Sequence, residues 1–160
     1  MKKILTILLC TFALNSYSQD QFIEEVKKSR VDLRKDIESK KLNYDGSKTT
    51  FFQYNDKTQY KGLEIAVFLR DNYHFFFDGS HAQSKVSIEF YDLPPENPNR
   101  LRMYEISNIS GKKVNISMED VLEFYAVYGG NPETLSSVHI DYIIKKSKPN
   151  RGAITLSLGF

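Results

Sequence analysis

The chain has 160 residues, of which 41% are apolar, 13% aromatic and 26% charged, and its formal net charge is +2. This composition is typical of a globular protein and excludes an intrinsically disordered chain, and the length predicts one domain with a real core. A net charge so close to zero gives no overall field that would attract a nucleic acid, which is therefore not an expected partner.

The first eighteen residues have the pattern of a secretory signal peptide. Lys2 and Lys3 precede an apolar run from Ile4 to Leu14, and a polar stretch with small residues follows. The run is about half the ~20 residues that a membrane-spanning helix needs. We therefore predict export and cleavage after Ser18, with an uncleaved anchor or a buried helix as the alternative.

Removal of this leader would change what chemistry is available. Cys10, the only cysteine, lies in it, and Leu9 before Cys10 argues against lipid attachment, which favours a small residue there. The remaining chain would hold equal numbers of basic and acidic side chains. It would also lack disulfides, a thiol nucleophile and thiolate metal sites. These properties favour a bacterial periplasmic or cell-surface protein whose partner is an envelope protein or a glycan, with membrane insertion as a weaker alternative.

Residues 19–43 are predicted to form a charged amphipathic helix. Its apolar side chains, Phe22, Val26, Leu33 and Ile37, are spaced by four, seven and four positions, which is the helical period. So narrow a stripe either lies on a larger domain or is offered to a partner protein. Turn-forming residues at 43–47 are expected to end the helix.

After the helix the apolar period changes to two, which indicates strands. The clearest strands are predicted at 63–70, 85–91, 138–145 and 152–160, and weaker ones at 49–54, 73–77, 101–106 and 113–117. Residues 121–128 fit either a strand or a short helix. The segment 107–117 favours a hairpin, and the proline-rich segment 92–99 favours a loop.

This succession of short strands and turns predicts a mainly β fold. We expect an antiparallel β-sandwich of seven to nine strands, jelly-roll or immunoglobulin-like, over residues 44–160, preceded by one N-terminal amphipathic helix. The last nine residues, which end on Phe160, resemble the final strand of bacterial outer-membrane β-barrels. A small eight-stranded outer-membrane barrel is therefore the alternative, although the predicted strands are short for it.

No established catalytic, metal or nucleotide motif is present in the sequence, so we predict no enzyme activity and no cofactor. Ser80 and His81 are adjacent, but neighbouring side chains generally point apart, and a hydrolase with a site built from loops is only a further alternative. The three histidines, His74, His81 and His139, lack the usual metal-ligand spacing. A loop calcium site is the one metal site considered, with Asp71, Asp78 and Asp92 as its candidate ligands.

The most informative remaining feature is the aromatic run at 73–77. On a strand, alternate residues of this run face opposite sides, so both faces must be covered or one must bind a partner. We therefore predict a non-enzymatic binding module or accessory subunit that acts through protein–protein or glycan contacts. The predicted partner-binding residues are Phe22, Val26, Leu33, Ile37, Phe68, His74 and Phe76.

Overall fold

The structure is a computed structural model that describes residues 2–67, 72–148 and 150–160, with side chains from residue 20 onward. The helices are α1 (Lys2–Ser39), α2 (Met118–Val127) and a short 3-10 helix (Pro132–Thr134). The strands are β1 (Tyr44–Gln53), β2 (Gln59–Ala66), β3 (His74–Asp78), β4 (Val86–Tyr91), β5 (Arg102–Ile106), β6 (Lys113–Ser117), β7 (Ser137–Ile144) and β8 (Arg151–Gly159). Within these described ranges, no helix is both long and apolar enough to span a membrane.

The strands form two antiparallel four-stranded sheets. Sheet I has the order β1-β8-β3-β6 and sheet II the order β2-β7-β4-β5. Each strand pairs with its counterpart from the other end of the series: β1 with β8, β2 with β7, β3 with β6, and β4 with β5. This is a long antiparallel ribbon wound into two layers, which is the jelly-roll arrangement. The predicted sandwich is confirmed, and the barrel alternative is wrong because the strands form two sheets with separate edges.

Helix α1 begins inside the predicted leader and ends at Ser39. The predicted helix at 19–43 therefore corresponds to its second part, and cleavage after Ser18 stays a prediction. At the end of α1, the Leu42 amide donates to the Ile37 carbonyl over 3.3 Å, and Lys41 adopts a left-handed φ of 62°. A left-handed residue just after the last turn is a common way to end a helix.

Residues 121–128, which fitted a strand or a helix, lie almost entirely in α2. The helix starts with a capping box, because the Ser117 hydroxyl accepts from the Asp120 amide while the Asp120 carboxylate accepts from the Ser117 amide. These reciprocal bonds satisfy two amides that an uncapped helix would leave unpaired. The pattern Ser-x-x-Asp was therefore the signal that favoured the helix.

The predicted hairpin at 107–117 is wrong. The segment follows β5 and ends with β6, and these two strands belong to different sheets. Residues 107–112 therefore cross from one layer of the sandwich to the other. The Gly111 amide donates to the Gly79 carbonyl over 2.9 Å, and the Gly79 amide donates to the Lys112 carbonyl over 2.8 Å. The turn residues thus reverse the chain as expected, but the segment pairs with the loop after β3.

The main core lies between the two sheets and is rich in aromatic rings. Phe90 on β4 is edge-on to Phe75 and Phe77 on β3, at centroid distances of 5.3 and 5.9 Å. Tyr142 on β7 is edge-on to Phe77 at 6.3 Å. Edge-to-face contacts at such distances are favourable because the positive ring edge meets the negative ring face. Tyr73, Phe75 and Phe77 belong to this core, whereas Phe76 belongs to a second cluster, so alternate residues of the run face opposite sides as predicted.

Strand β8 is buried on both faces because α1 covers the outer side of sheet I. Its large side chains enter the core, while the side chains under α1 are small: Ala153, Thr155, Ser157 and Gly159. A Cβ atom at Gly159 would lie 2.8 Å from the Ile37 side chain, so the absence of a side chain allows the helix to approach closely. Leu33, Ile37 and Phe76 form a second, smaller apolar cluster at this interface.

Tyr142 provides a test of the core. Its side chain is fully buried, and among the described residues its hydroxyl has no hydrogen-bond partner; burial raises the pKa of this group. Because an unsatisfied buried hydroxyl is costly, Tyr142→Phe should raise the free energy of unfolding by about 1 kcal/mol in urea denaturation. Tyr54→Phe is the control and should lower it, since the Tyr54 hydroxyl accepts from the Ser84 amide over 3.0 Å. A loss of stability in Tyr142→Phe would contradict the unsatisfied hydroxyl.

Candidate ligand-binding groove

A groove runs between α1 and β1, the edge strand of sheet I. Residues 22 and 23 of α1 lie beside residues 51–53 of β1, whereas residues 27–34 lie beside residues 44–47. The helix therefore runs antiparallel to β1, and two cavities lie along the line where these elements meet, which we call the α1–β1 groove. Since β1 is at the end of the strand order of sheet I, the groove lies at the edge of the sandwich.

The aromatic end of the groove contains a cavity of about 490 Å³, within the ~300–1,000 Å³ range of small-molecule sites. Its lining residues are Phe22, Ile23, Phe51, Phe52, Gln53, Arg151 and Gly152. The Phe22 ring is edge-on to the Phe51 ring at 6.4 Å, and Phe51 is 53% exposed. An apolar cavity with a few polar side chains is the usual composition of a ligand site.

The pairing of β1 with β8 positions the side chains at the aromatic end of the groove. Phe51 is paired with the small Ala153, and Gln53 is paired with Arg151, so the two polar side chains lie on the same face. Phe52 points the other way and is buried in the core. A Cβ atom on Gly152 would lie 2.3 Å from the Phe52 ring, so glycine is required at this close approach.

A hydrogen bond fastens α1 to the sandwich next to the cavity. Ser29 Oγ lies 2.9 Å from His81 Nε2, and the His81 ring is edge-on to Phe22 at a centroid distance of 5.9 Å. The Ser80 amide donates to Asp78 Oδ1 over 2.8 Å, which forms a turn. His81 thus bonds to Ser29 and orients the wall of the cavity, whereas Ser80 belongs to the turn.

The other end of the groove is cationic and contains a cavity of about 280 Å³. Its lining residues are Lys27, Arg30, Val31, Arg34, Tyr44 and Ser47. Arg30 Nε donates to Ser47 Oγ over 3.0 Å, the Tyr44 hydroxyl donates to the same oxygen over 2.9 Å, and the Arg34 guanidinium lies 5.3 Å from the Tyr44 ring centroid. Strand β1 therefore fixes the positions of Arg30 and Arg34.

Two of these cations also have acidic neighbours on the outer side of the helix. Lys27 lies 2.6 Å from Glu24, and Arg34 lies 2.8 Å from Glu38. All four side chains are more than half exposed, from 52% to 68%. Exposed ion pairs contribute only about 0–1 kcal/mol, so an anionic ligand can replace these carboxylates at little cost.

The predicted partner-binding residues fall into distinct places. Phe22 lines the aromatic end of the groove. The four residues that hold α1 on the sheet, at no more than 3% exposure, are Val26, Leu33, Ile37 and Phe76. His74 is half-buried beside Phe76, with a ring distance of 6.3 Å. Phe68 lies outside the described residues. Binding of a partner by any of them stays a prediction.

Sequence reasoning missed most of the groove. The sequence predicts a strand that contains Phe51 and Gln53 and another that begins directly after Arg151, but it does not show which side chains face α1. The cations had a readable signal, because Lys27, Arg30 and Arg34 are three and four positions apart and therefore share one helix face. This pattern indicates a cationic stripe beside the apolar one.

The outer face of sheet II is polar but satisfied by its own contacts. The Arg100 guanidinium lies 3.7 Å from the Tyr91 ring centroid and 2.8 Å from Asp141. The Tyr91 hydroxyl donates to Glu89 over 2.7 Å; burial and this bond raise the pKa of Tyr91 to about 12, so it stays a neutral donor. Because these groups bond to each other, the α1–β1 groove is the stronger candidate for a ligand.

Of the three aspartates considered for a calcium site, the two that the structure describes have separate hydrogen-bond partners. Asp78 is buried in its turn, and Asp92 accepts from the Leu101 amide over 2.7 Å and from the Tyr125 hydroxyl over 3.0 Å. Asp71 lies outside the described residues. In the part of the chain that the structure describes, no three His, Cys, Asp or Glu side chains are grouped to hold a metal ion. The absence of a cofactor stays a prediction.

The chain was compared with known proteins. No protein-family model and no curated protein matches the sequence. Among solved structures, it is similar to one from Bacillus endospore appendages that form disulfide-linked pili, with 9% identity, 74% of this chain and 87% of that chain covered, and a TM-score of 0.37. It is also similar to a CBM4 structure, with 6% identity, 75% and 79% coverage and a TM-score of 0.41. A carbohydrate-binding module of the β-sandwich superfamily gives 10% identity, 72% and 53% coverage and a TM-score of 0.34. Such low scores carry no argument about function.

Proposed function

We propose that this protein is an exported, non-enzymatic binding module that holds a glycan in the α1–β1 groove. The observation that carries this proposal is the cavity in which the Phe22 and Phe51 rings lie next to Gln53 and Arg151. A sugar ring has apolar C–H faces that pack on aromatic rings and hydroxyl groups that need hydrogen-bond partners. The aromatic end of the groove offers both kinds of contact on adjacent strands, which are rigid supports.

The hydrogen bond between Ser29 and His81 supports a non-enzymatic role. A serine nucleophile needs a base, and the base needs a third group that orients it. His81 bonds to Ser29, which is only 7% exposed, and within the described ranges no carboxylate hydrogen-bonds to His81. The pair therefore fits a role in fastening α1 better than a role in catalysis.

The predicted leader supports export. A positively charged start followed by a short apolar run directs a chain out of the cytoplasm. Outside the cytoplasm, the envelope supplies both glycans and surface proteins as ligands. Cleavage after Ser18 would leave Phe22 close to the new N-terminus, and N-terminal mass spectrometry of the natively expressed protein tests this part of the proposal.

Phe51→Ala should reduce glycan affinity about tenfold, since removal of a central aromatic contact costs about 1.4 kcal/mol or more. The measurement is binding of the purified chain to a printed glycan array, followed by calorimetry with the best ligand. Tyr60→Ala is the matched control, because Tyr60 is an exposed aromatic residue on β2, at 68% exposure, in the other sheet. The glycan affinity of the Tyr60→Ala variant should equal that of the unmodified chain.

Two outcomes would contradict the proposal. Loss of binding in Tyr60→Ala with full binding in Phe51→Ala would move the site to sheet II. Absence of binding to any glycan, together with capture of an envelope protein that depends on Phe51, would replace the glycan by a protein partner.

A further inference from the structure

We infer, on the basis of the proposed function, that the glycan is acidic and that its carboxylates bind to the cationic end of the groove. The aromatic end is expected to hold a sugar ring, and Lys27, Arg30 and Arg34 are expected to bind acidic groups farther along the same chain. The ligand class is therefore a carboxylate-bearing polysaccharide that lies along α1 and β1.

The dimensions of the groove suit an extended polymer. From Phe22 to Arg34 the helix advances about 18 Å at 1.5 Å per residue. From Ser47 to Gln53 the strand advances about 20 Å at ~3.4 Å per residue. The two walls are thus similar in length and can contact several successive sugar units. A single small anion would use only one end.

The floor of the groove has the chemistry that a sugar chain needs. Alternate residues of β1 face the same side, so Thr49 lies between Ser47 at the cationic end and Phe51 at the aromatic end. Thr49 Oγ1 lies 3.1 Å from Thr155 Oγ1 on β8. Thr49, which is half-buried, therefore places one hydroxyl group between the cations and the aromatic rings, and this group can bond to a sugar hydroxyl.

Arg30 is the cation best placed for a carboxylate. Its Nε donates to Ser47 Oγ, which fixes the guanidinium against β1. Among the described residues, its two terminal nitrogens have no hydrogen-bond or ion-pair partner. A guanidinium has a planar array of donors that matches the two oxygens of a carboxylate, and fixing it in advance reduces the entropy lost on binding.

The charge distribution favours an acidic glycan over a nucleic acid. Lys27, Arg30 and Arg34 lie together at one end of the groove, whereas the whole chain has a net charge of only +2. Nucleic-acid binding relies on neutralising many closely spaced phosphates, which requires a broad basic surface. Carboxylates carried on an otherwise neutral sugar chain need only a few cations, placed between hydroxyl and aromatic contacts.

The experiment uses the full chain and a panel of polygalacturonate, alginate and hyaluronate, each beside its carboxyl-reduced counterpart, with single-stranded DNA as a further probe. At least one acidic polymer should bind ten times more tightly than its reduced form. Arg30→Glu should abolish this preference, whereas Arg30→Lys should keep part of it. Lys28→Glu is the matched control, since Lys28 is exposed on the same helix away from the groove, and the change in charge is the same.

Every alternative outcome contradicts one specific part of the inference. Equal binding of acidic and reduced polymers would overturn the acidic ligand and leave the glycan proposal standing. Equal losses in Arg30→Glu and Lys28→Glu would show attraction to overall charge and overturn the groove as the site. Tighter binding to DNA than to any polymer would overturn the glycan class. If no polymer of the panel binds but a neutral glycan binds on the array, only the acidic ligand is rejected. If neither the panel nor the array shows binding, the proposed function is rejected as well.

Discussion

Replacement of Phe90 by alanine is expected to lower the free energy of unfolding by about 3–5 kcal/mol. Phe90 is fully buried on β4 of sheet II and contacts Phe75 and Phe77 on β3 of sheet I, so its ring joins the two layers. It is also edge-on to Tyr104 on β5, at 6.1 Å. A domain has only about 5–15 kcal/mol of stability, so this loss should be visible directly in urea unfolding followed by circular dichroism.

Phe124→Ala is the matched control for this prediction. Its ring is also edge-on to Tyr104, at 5.3 Å, but it is 49% exposed on α2. Removal of a half-exposed ring leaves no sealed cavity, so the loss should stay below about 1 kcal/mol. Equal losses in the two variants would contradict the assignment of Phe90 to the centre of the core.

The parts of the fold that depend on local periodicity could be predicted from the sequence. The apolar alternation of β8 identified its inward face, and the spacing of Leu33 and Ile37 identified the buried face of α1. These patterns are local because a strand repeats every two residues and a helix every 3.6. The change from one period to the other located the sandwich after residue 43.

The pairing of strands could not be predicted, because it depends on contacts between distant segments. The turn residues at 107–117 suggest a hairpin, yet β5 and β6 pair with strands in different sheets. Tyr44 and Gly46 were placed in a turn, but they begin β1 opposite Gly159 and Leu158, with a bulge between them. Pairing with β8 thus overrides the local preference of these residues, as is common for strands.

The predicted binding residues illustrate a different limit. Phe76 is an apolar residue on the second face of its strand, and Leu33 and Ile37 form an apolar stripe on a charged helix. Considered separately, each segment shows a surface that needs a partner. The structure places them against each other, so each surface is the other's partner within the chain. The groove arises from the same contact between helix and sheet, and of the predicted residues that the structure describes, only Phe22 lines it.

Ile37→Asp is expected to detach α1 while the sandwich stays folded. Ile37 is fully buried and closely approaches Gly159, so a carboxylate there would be desolvated, at a cost of several kcal/mol. The main core contains none of the α1 side chains that the structure describes, from residue 20 onward, which is why the two sheets should survive. Hydrogen exchange followed by mass spectrometry should show rapid exchange in α1 and unchanged protection in β3, β4 and β7.

Loss of α1 should also abolish ligand binding, since the helix forms one wall of the groove. Lys28→Asp is the control: Lys28 is exposed on the same helix and lines neither cavity of the groove, so α1 should keep its protection. Retained protection of α1 in Ile37→Asp, together with loss of a bound protein partner, would instead support the prediction that the stripe binds a partner. Rapid exchange throughout the sandwich would mean that α1 and the two sheets unfold as one cooperative unit, so that the stability of the sheets depends on the helix.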